Sequence, residues 1–209
     1  MMPKHAHWLM PGKYTDGANL VTAVNVLTGI AALMLVSAHR PGWAILLVFV
    51  AILLDHLDGF LARRFYAHQQ EKRAFGKQFD TLADMLNFNV VTALLLFRQF
   101  AFAPLLTGVI SASIVLFGCI RLAHFTLQTG SGDESAYGLQ TPYAAFMIIN
   151  MLLLNAAGYL PAALVLLMAA IISILQIACV PIRMPNATVC LPALSVLFFL
   201  NLLLCGVPY

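Results

Sequence analysis

Charge is what this sequence has least of. Only 9% of its 209 residues are Asp, Glu, Lys or Arg, against about 25% in soluble domains. That scarcity excludes an ordinary water-soluble domain. The surplus lies elsewhere, since 62% of the residues are hydrophobic and the mean hydropathy is +0.91. Paired cysteines are lacking too. Cys119, Cys179, Cys190 and Cys205 stand singly in apolar stretches, which excludes a cysteine metal site and leaves them as small buried hydrophobes. No cleavable signal peptide is expected at residues 1–14, which carry Lys4, His5, His7 and Lys13 but no apolar core followed by small residues.

What is present is a series of long apolar runs. They point to membrane-spanning helices and not to a barrel, whose strands would alternate in short segments. Runs fall at residues 19–38, 43–54, 79–97, 105–125, 142–157, 162–180 and 187–205, separated by His39-Arg40-Pro41-Gly42, Arg98 to Pro104, a polar stretch at 128–140 and a turn at 158–161. The expected fold is an all-α integral membrane protein, a polytopic bundle of about six to eight transmembrane helices, of which seven are read here. Residues 1–18 are expected to be an interfacial segment with Trp8 and Tyr14 at headgroup level. Residues 19–209 are expected to be a single transmembrane domain, with no internal repeat and no low-complexity tract.

Orientation follows from the cations. With the N-terminus in the cytoplasm, the inner side holds Lys4, Lys13, Arg63, Arg64, Lys72, Arg73, Lys77, Arg121 and Arg183, and the outer side Arg40 and Arg98. This distribution accounts for the net charge of +3 without a nucleic-acid partner.

Five of the eight carboxylates fall in residues 55–84, four of them the aspartates Asp55, Asp58, Asp80 and Asp84. Asp55 and Asp58 are spaced i,i+3 and Asp80 and Asp84 i,i+4, so on helices each pair shares a face. Gly59 and Ala62 leave that face nearly bare. Twelve residues, Trp43 to Leu54, precede Asp55 and thirteen, Met85 to Phe97, follow Asp84, which at about 1.5 Å per residue puts both pairs at one depth. That depth is roughly 10 Å inside the cytoplasmic edge of the hydrocarbon core. Carboxylates so placed are unfavourable by about 2.5 to 3.5 kcal/mol each, and a bound cation would offset this. Oxygen-only ligands suit Mg²⁺, Mn²⁺ or Ca²⁺ and argue against zinc or copper. Four carboxylates have room for two ions that clamp a diphosphate, with Arg63, and Lys77 or Arg64, placed to meet phosphate. Juxtamembrane aspartates pairing with loop cations would show the same spacing, and only depth, shared face and small neighbours argue for a site. His56 points away from Asp55 and is expected to pack.

The pattern Asp55-x-x-Asp58-Gly59-x-x-Ala62-Arg63…Gly76-x-x-x-Asp80-x-x-x-Asp84 resembles the defining motif of the CDP-alcohol phosphatidyltransferases. Twelve residues separate Arg63 from Gly76, about one helical turn more than is usual in that family, and a longer second helix is expected to absorb them. The resemblance implies that Asp55, Asp58, Asp80 and Asp84 hold two Mg²⁺ or Mn²⁺ ions, with Asp84 also the general base. It places Gly59, Ala62, Arg63, Gly76 and Asn25 around the CDP group.

A second set of motifs narrows the branch. Asn19-Leu-x-Thr22-x-x-Asn25-x-x-x-Gly29, Arg121-Leu-Ala-x-Phe125, Tyr137-Gly-Leu-x-x-Pro142 and Ile182-Arg-Met-Pro185 are similar to the phosphatidylserine synthases. CDP-diacylglycerol is then the donor, L-serine the acceptor, a homodimer the usual assembly, and Arg121, Asn87, Gln140 and Lys77 the candidates for the acceptor or a phosphate. Asn87-Phe-Asn89 and Gln140 depart from the serine pattern, so glycerol 3-phosphate, inositol and choline stay open as acceptors. Asn25 serves equally as a helix–helix hydrogen bond. A cation transporter or a non-enzymatic membrane subunit would also hold buried carboxylates. The first would place them in several helices or in paired repeats, and the second has no need of the clearance at Gly59 and Ala62.

Overall fold

A chain inside hydrocarbon has no water for its backbone N–H and C=O groups, so apolar runs of bilayer length close their own hydrogen bonds as helices. The computed structural model describes residues 16–65, 70–128, 138–180 and 187–205. The expectations for Trp8, Tyr14, Tyr137, residues 182–185 and most of the polar stretch at 128–140 lie outside these residues.

Helix α1 is Gly17–Ser37, started by Asp16, whose side chain accepts the Asn19 N–H at 2.8 Å. Helix α2 is Pro41–Phe65 and α3 is Gln70–Asp84. The latter runs without a break into a seven-residue π-helix, Met85–Val91, and then into α4, Thr92–Gln99. Helices α5 (Pro104–Gln128), α6 (Thr141–Ala156), α7 (Ala162–Ile177) and α8 (Ala187–Cys205) complete the bundle. Four segments are long and apolar enough to span a membrane: Gly17–Ser37, Pro41–Phe65, Ala74–Gln99 and Pro104–Leu127. The protein is an all-helical, polytopic integral membrane protein.

The sidedness of α1 reverses that of a helix in water. Leu20, Leu27 and Met34, seven residues apart, are each at least 60% exposed, while Asn19, Thr22, Asn25 and Gly29 are buried. Apolar side chains face lipid and the polar stripe faces the neighbouring helices. At the centre, Phe49 of α2 stacks on Phe198 of α8 with centroids 4.1 Å apart. Asn201 of α8 donates to Asn150 of α6 at 2.7 Å.

Helix α2 is described as far as Phe65, and the expectation that it lengthens to take up the extra turn falls on residues 66–69, outside the described residues. Two other expectations change. The third helix is already formed at Gln70 and does not start near position 79. Cys119 and Cys179 are exposed and not buried; on the outside of a membrane bundle a thiol still has apolar surroundings, which is why apolar context alone did not place them.

Candidate functional site

Helices α2 and α3 bring one carboxylate oxygen each from Asp55, Asp80 and Asp84 within 4.8 Å of one another. All three residues are half-buried, and Oδ1 of Asp80 and Oδ1 of Asp84 are buried without a hydrogen-bond partner. Three carboxylates this close repel one another, and a hard divalent cation among them offsets the repulsion with oxygen ligands it accepts. The donor set therefore fits such an ion. Asp58 stands outside this trio. It is 4% exposed, and its Oδ2 accepts a 2.6 Å hydrogen bond from the Thr22 hydroxyl of α1. It remains close enough to Asp80 and Asp84 for their charges to interact.

The small residues of the motif occupy two environments. A Cβ at Gly59 would meet Nη1 of Arg63 at 3.3 Å, so the Arg63 guanidinium folds back over the bare turn that Gly59 leaves. Ala62, half-buried, follows on the same helix. Gly76 instead sits against α1, where a Cβ would come within 2.6 Å of Asn19 Oδ1. In this structure the space beside Gly76 is taken by Asn19.

Directly after Asp84 the backbone widens into the π-helix, a form often found at functional sites. Asn87 and Asn89 on it are each 1% exposed. The Asn87 amide donates to the backbone carbonyl of Asn25 at 3.1 Å and to its Oδ1 at 3.0 Å, which is the interhelical bond open to Asn25 from its place in the first span. A Cβ at Gly29 of α1 would collide with the Asn87 amide oxygen, and one at Gly118 of α5 with the Asn89 amide. The segment is thus wedged between α1 and α5, each asparagine seated in a glycine notch.

The remaining candidates are dispersed. Lys77 Nζ donates to the carbonyls of Phe125 at 3.4 Å and Thr126 at 3.2 Å, in the last turns of α5, where a cation complements the helix dipole. Gln140 precedes α6, its carbonyl accepting the Ala144 N–H at 3.0 Å. His56 donates through Nδ1 to the Ile52 carbonyl at 2.8 Å and meets Tyr143 edge-on, but the same Nδ1 lies 3.5 Å from Oδ2 of Asp55, so the ring packs as expected but does not point away from that carboxylate. Arg121 of α5 is half-buried, has an unpartnered Nε, and lies within electrostatic reach of Asp84.

Three features were missed in the sequence. The first is the pairing of Thr22 with Asp58, although Asn19, Thr22 and Asn25 form a visible polar stripe in an apolar run. The second is the π-helix, which has no sequence period of its own. The third is Gln176, a lone amide near the end of the apolar α7, whose two amide atoms are buried and unpartnered.

The family model for CDP-alcohol phosphatidyltransferase matches residues 17–176. The chain is 31% identical over 156 residues to the CDP-diacylglycerol–serine O-phosphatidyltransferase of Helicobacter pylori, covering 74% of this chain and 61% of that protein. Archaetidylserine synthase of Methanothermobacter thermautotrophicus is 30% identical over 162 residues, 76% of this chain and 67% of that protein. The CDP-diacylglycerol–serine O-phosphatidyltransferase of Methanocaldococcus jannaschii is 31% identical over 134 residues, 64% of this chain and 58% of that protein. The chain thus spans about three fifths of the length of the Helicobacter relative.

Proposed function

Because the chain belongs to the CDP-alcohol phosphatidyltransferase family, we propose that it transfers a phosphatidyl group from CDP-diacylglycerol to L-serine and releases CMP. The observation that carries this reading is the convergence of Asp55, Asp80 and Asp84 at the position of the family motif. Serine is favoured because the Helicobacter and Methanothermobacter relatives are both named for it.

In this reading Asp55, Asp58, Asp80 and Asp84 hold Mg²⁺ or Mn²⁺, which when bound neutralises the diphosphate and makes its phosphorus a better electrophile. The chain's own residues do the rest. Asp84 accepts the proton of the acceptor hydroxyl, a new oxygen–phosphorus bond forms to the phosphatidyl phosphorus, and the bond to CMP breaks. Gly59 and Ala62 leave the face of α2 open, and Arg63 holds a phosphate of the CDP group with its guanidinium. Asn25, Gly76, Asn87 and Asn19 fix α1 against α3 and its continuation, and the Thr22–Asp58 bond ties α1 to α2, so the two aspartate-bearing helices keep their register through α1. Arg121 faces the acceptor side. Gln140 and Lys77 brace α6 and the end of α5 around it. Apolar helix walls keep the local dielectric low, which strengthens these contacts.

The excess of Lys and Arg on one side, nine against two, supports a site that opens to the cytoplasm. The lipid tails enter sideways between helices from that leaflet, and the assembly proposed is a homodimer. CMP release from CDP-diacylglycerol with serine, glycerol 3-phosphate, inositol and choline tests the reading. Serine-dependent release is expected. Release with another alcohol alone would replace the acceptor, and no release with any of them would remove the enzymatic reading.

A further inference from the structure

Helix α5 and the end of α7 flank a half-open cavity of about 510 Å³ whose lining includes Ile120, Arg121, His124, Gln176, Ile177 and Cys179. Gln176 is 1% exposed, and neither its amide oxygen nor its amide nitrogen has a partner. Arg121, on the α5 side of the cavity, has a buried Nε that is also unpartnered. A dry, unpaired amide is unfavourable, and two such groups lining one cavity mark a place where a polar ligand completes the hydrogen bonding. Gln176 is also held firmly in place. Leu139 N–H donates to the Leu175 carbonyl at 2.9 Å and Gly138 N–H to the Val180 carbonyl at 3.0 Å. Gly138 has a φ of +76° and lies so close to the Gln176 carbonyl that a Cβ there would collide with it. Arg121, on the cavity wall, is within electrostatic reach of Asp84.

We propose that Gln176 and Arg121 form the pocket that recognises an α-amino acid acceptor: Arg121 and the Gln176 amide N–H bind its carboxylate, and the Gln176 amide oxygen binds its ammonium. This rests on the phosphatidyl-transfer reading above and specifies which acceptor chemistry the site accepts. The inventory of donors and acceptors is what selects the ligand. Arg121 supplies only donors and calls for an anion, while Gln176 supplies both and fits a group with a positive and a negative end. Inositol brings no anion to Arg121, and choline brings no N–H to the Gln176 oxygen. With its charged end held between α5 and α7, the acceptor turns its hydroxyl toward Asp84.

The test uses the detergent-purified full chain and measures kcat and KM for serine, for ethanolamine, which lacks the carboxylate, and for 3-hydroxypropanoate, which lacks the ammonium. The wild-type protein is expected to lose about tenfold or more in kcat/KM for each missing group, as sites built to bind a polar group reject analogues without it. Gln176→Met, close in shape, is expected to raise the serine KM by about tenfold or more. It should leave kcat and the KM for CDP-diacylglycerol little changed, and bring serine and 3-hydroxypropanoate closer together. Gln176→Glu keeps an acceptor for the ammonium and repels the carboxylate, so it should shift preference toward ethanolamine. Wild-type protein that uses ethanolamine or 3-hydroxypropanoate as well as serine would overturn the pocket without any variant. Serine turnover by a folded Gln176→Met protein with unaltered KM and selectivity would also overturn the pocket, and that alone. Turnover of glycerol 3-phosphate with none of serine would overturn the acceptor reading and the pocket together.

Discussion

Thr22 of α1 donates a 2.6 Å hydrogen bond to Oδ2 of Asp58 on α2, tying the first helix to a carboxylate that is 4% exposed. The bond fixes the Asp58 side chain beside the trio of Asp55, Asp80 and Asp84 without placing it among them. Thr22→Val keeps the shape and removes the donor, leaving a buried carboxylate one partner short. A loss of about 1 to 3 kcal/mol in stability is expected, seen as a lower thermal midpoint in detergent, together with slower CMP release. Thr22→Ser should recover most of both. Unchanged stability and rate in Thr22→Val would show that the bond carries neither.

The glycine notches give a second prediction, about packing and not chemistry. Gly118→Ala drives a methyl into the Asn89 amide, and overpacking of this kind costs about 1 to 3 kcal/mol. Shortening the partner with Asn89→Ala in the same chain should restore part of the loss. A double-mutant cycle on thermal unfolding measures the coupling, and purely additive effects would count against the contact.

Much of the fold was legible because the bilayer imposes it. The first span was expected at 19–38 and is Gly17–Ser37, and the last apolar run, expected at 187–205, is helical over the described residues Ala187–Cys205. The start of α3 was not legible from hydropathy. Gln70, Glu71, Lys72 and Arg73 belong to no apolar run, yet they are good helix formers and carry the helix into the polar region. The carboxylates were legible as pairs, since i,i+3 and i,i+4 spacing fixes a face. Their regrouping into a trio with Asp58 bound to Thr22 depends on how α1, α2 and α3 cross, and no single-helix period contains that. Lys77 shows the same limit, because its place beside the motif gave no sign that it reaches the carbonyls of α5.

Arg63 gives a prediction about the donor. Its guanidinium lies over Gly59, where it is assigned to a phosphate of the CDP group. Arg63→Ala should raise the KM for CDP-diacylglycerol by on the order of tenfold or more, and Arg63→Lys should recover only part, because an ammonium cannot make the paired contact. An unchanged KM in Arg63→Ala would remove Arg63 from the donor site.

Metal removal should register in stability as well as in rate. An ion that binds only the folded protein adds about 2.7 kcal/mol at a concentration of 100 times its Kd. Chelation should therefore lower the thermal midpoint, and Mg²⁺ or Mn²⁺ should restore it. Asp80→Asn should blunt that response. A midpoint indifferent to both chelator and ion would argue against a resident cation among Asp55, Asp80 and Asp84.

The most direct test of the central claim is CMP release from CDP-diacylglycerol with serine, followed against Mg²⁺ or Mn²⁺ concentration in the wild-type protein and in Asp84→Asn. The account predicts saturable, metal-dependent release that vanishes with chelator in the wild-type protein. It predicts no turnover in Asp84→Asn at any metal concentration, although that variant still binds the nucleotide lipid. Metal-independent release by the wild-type protein, or wild-type turnover by Asp84→Asn, would contradict it.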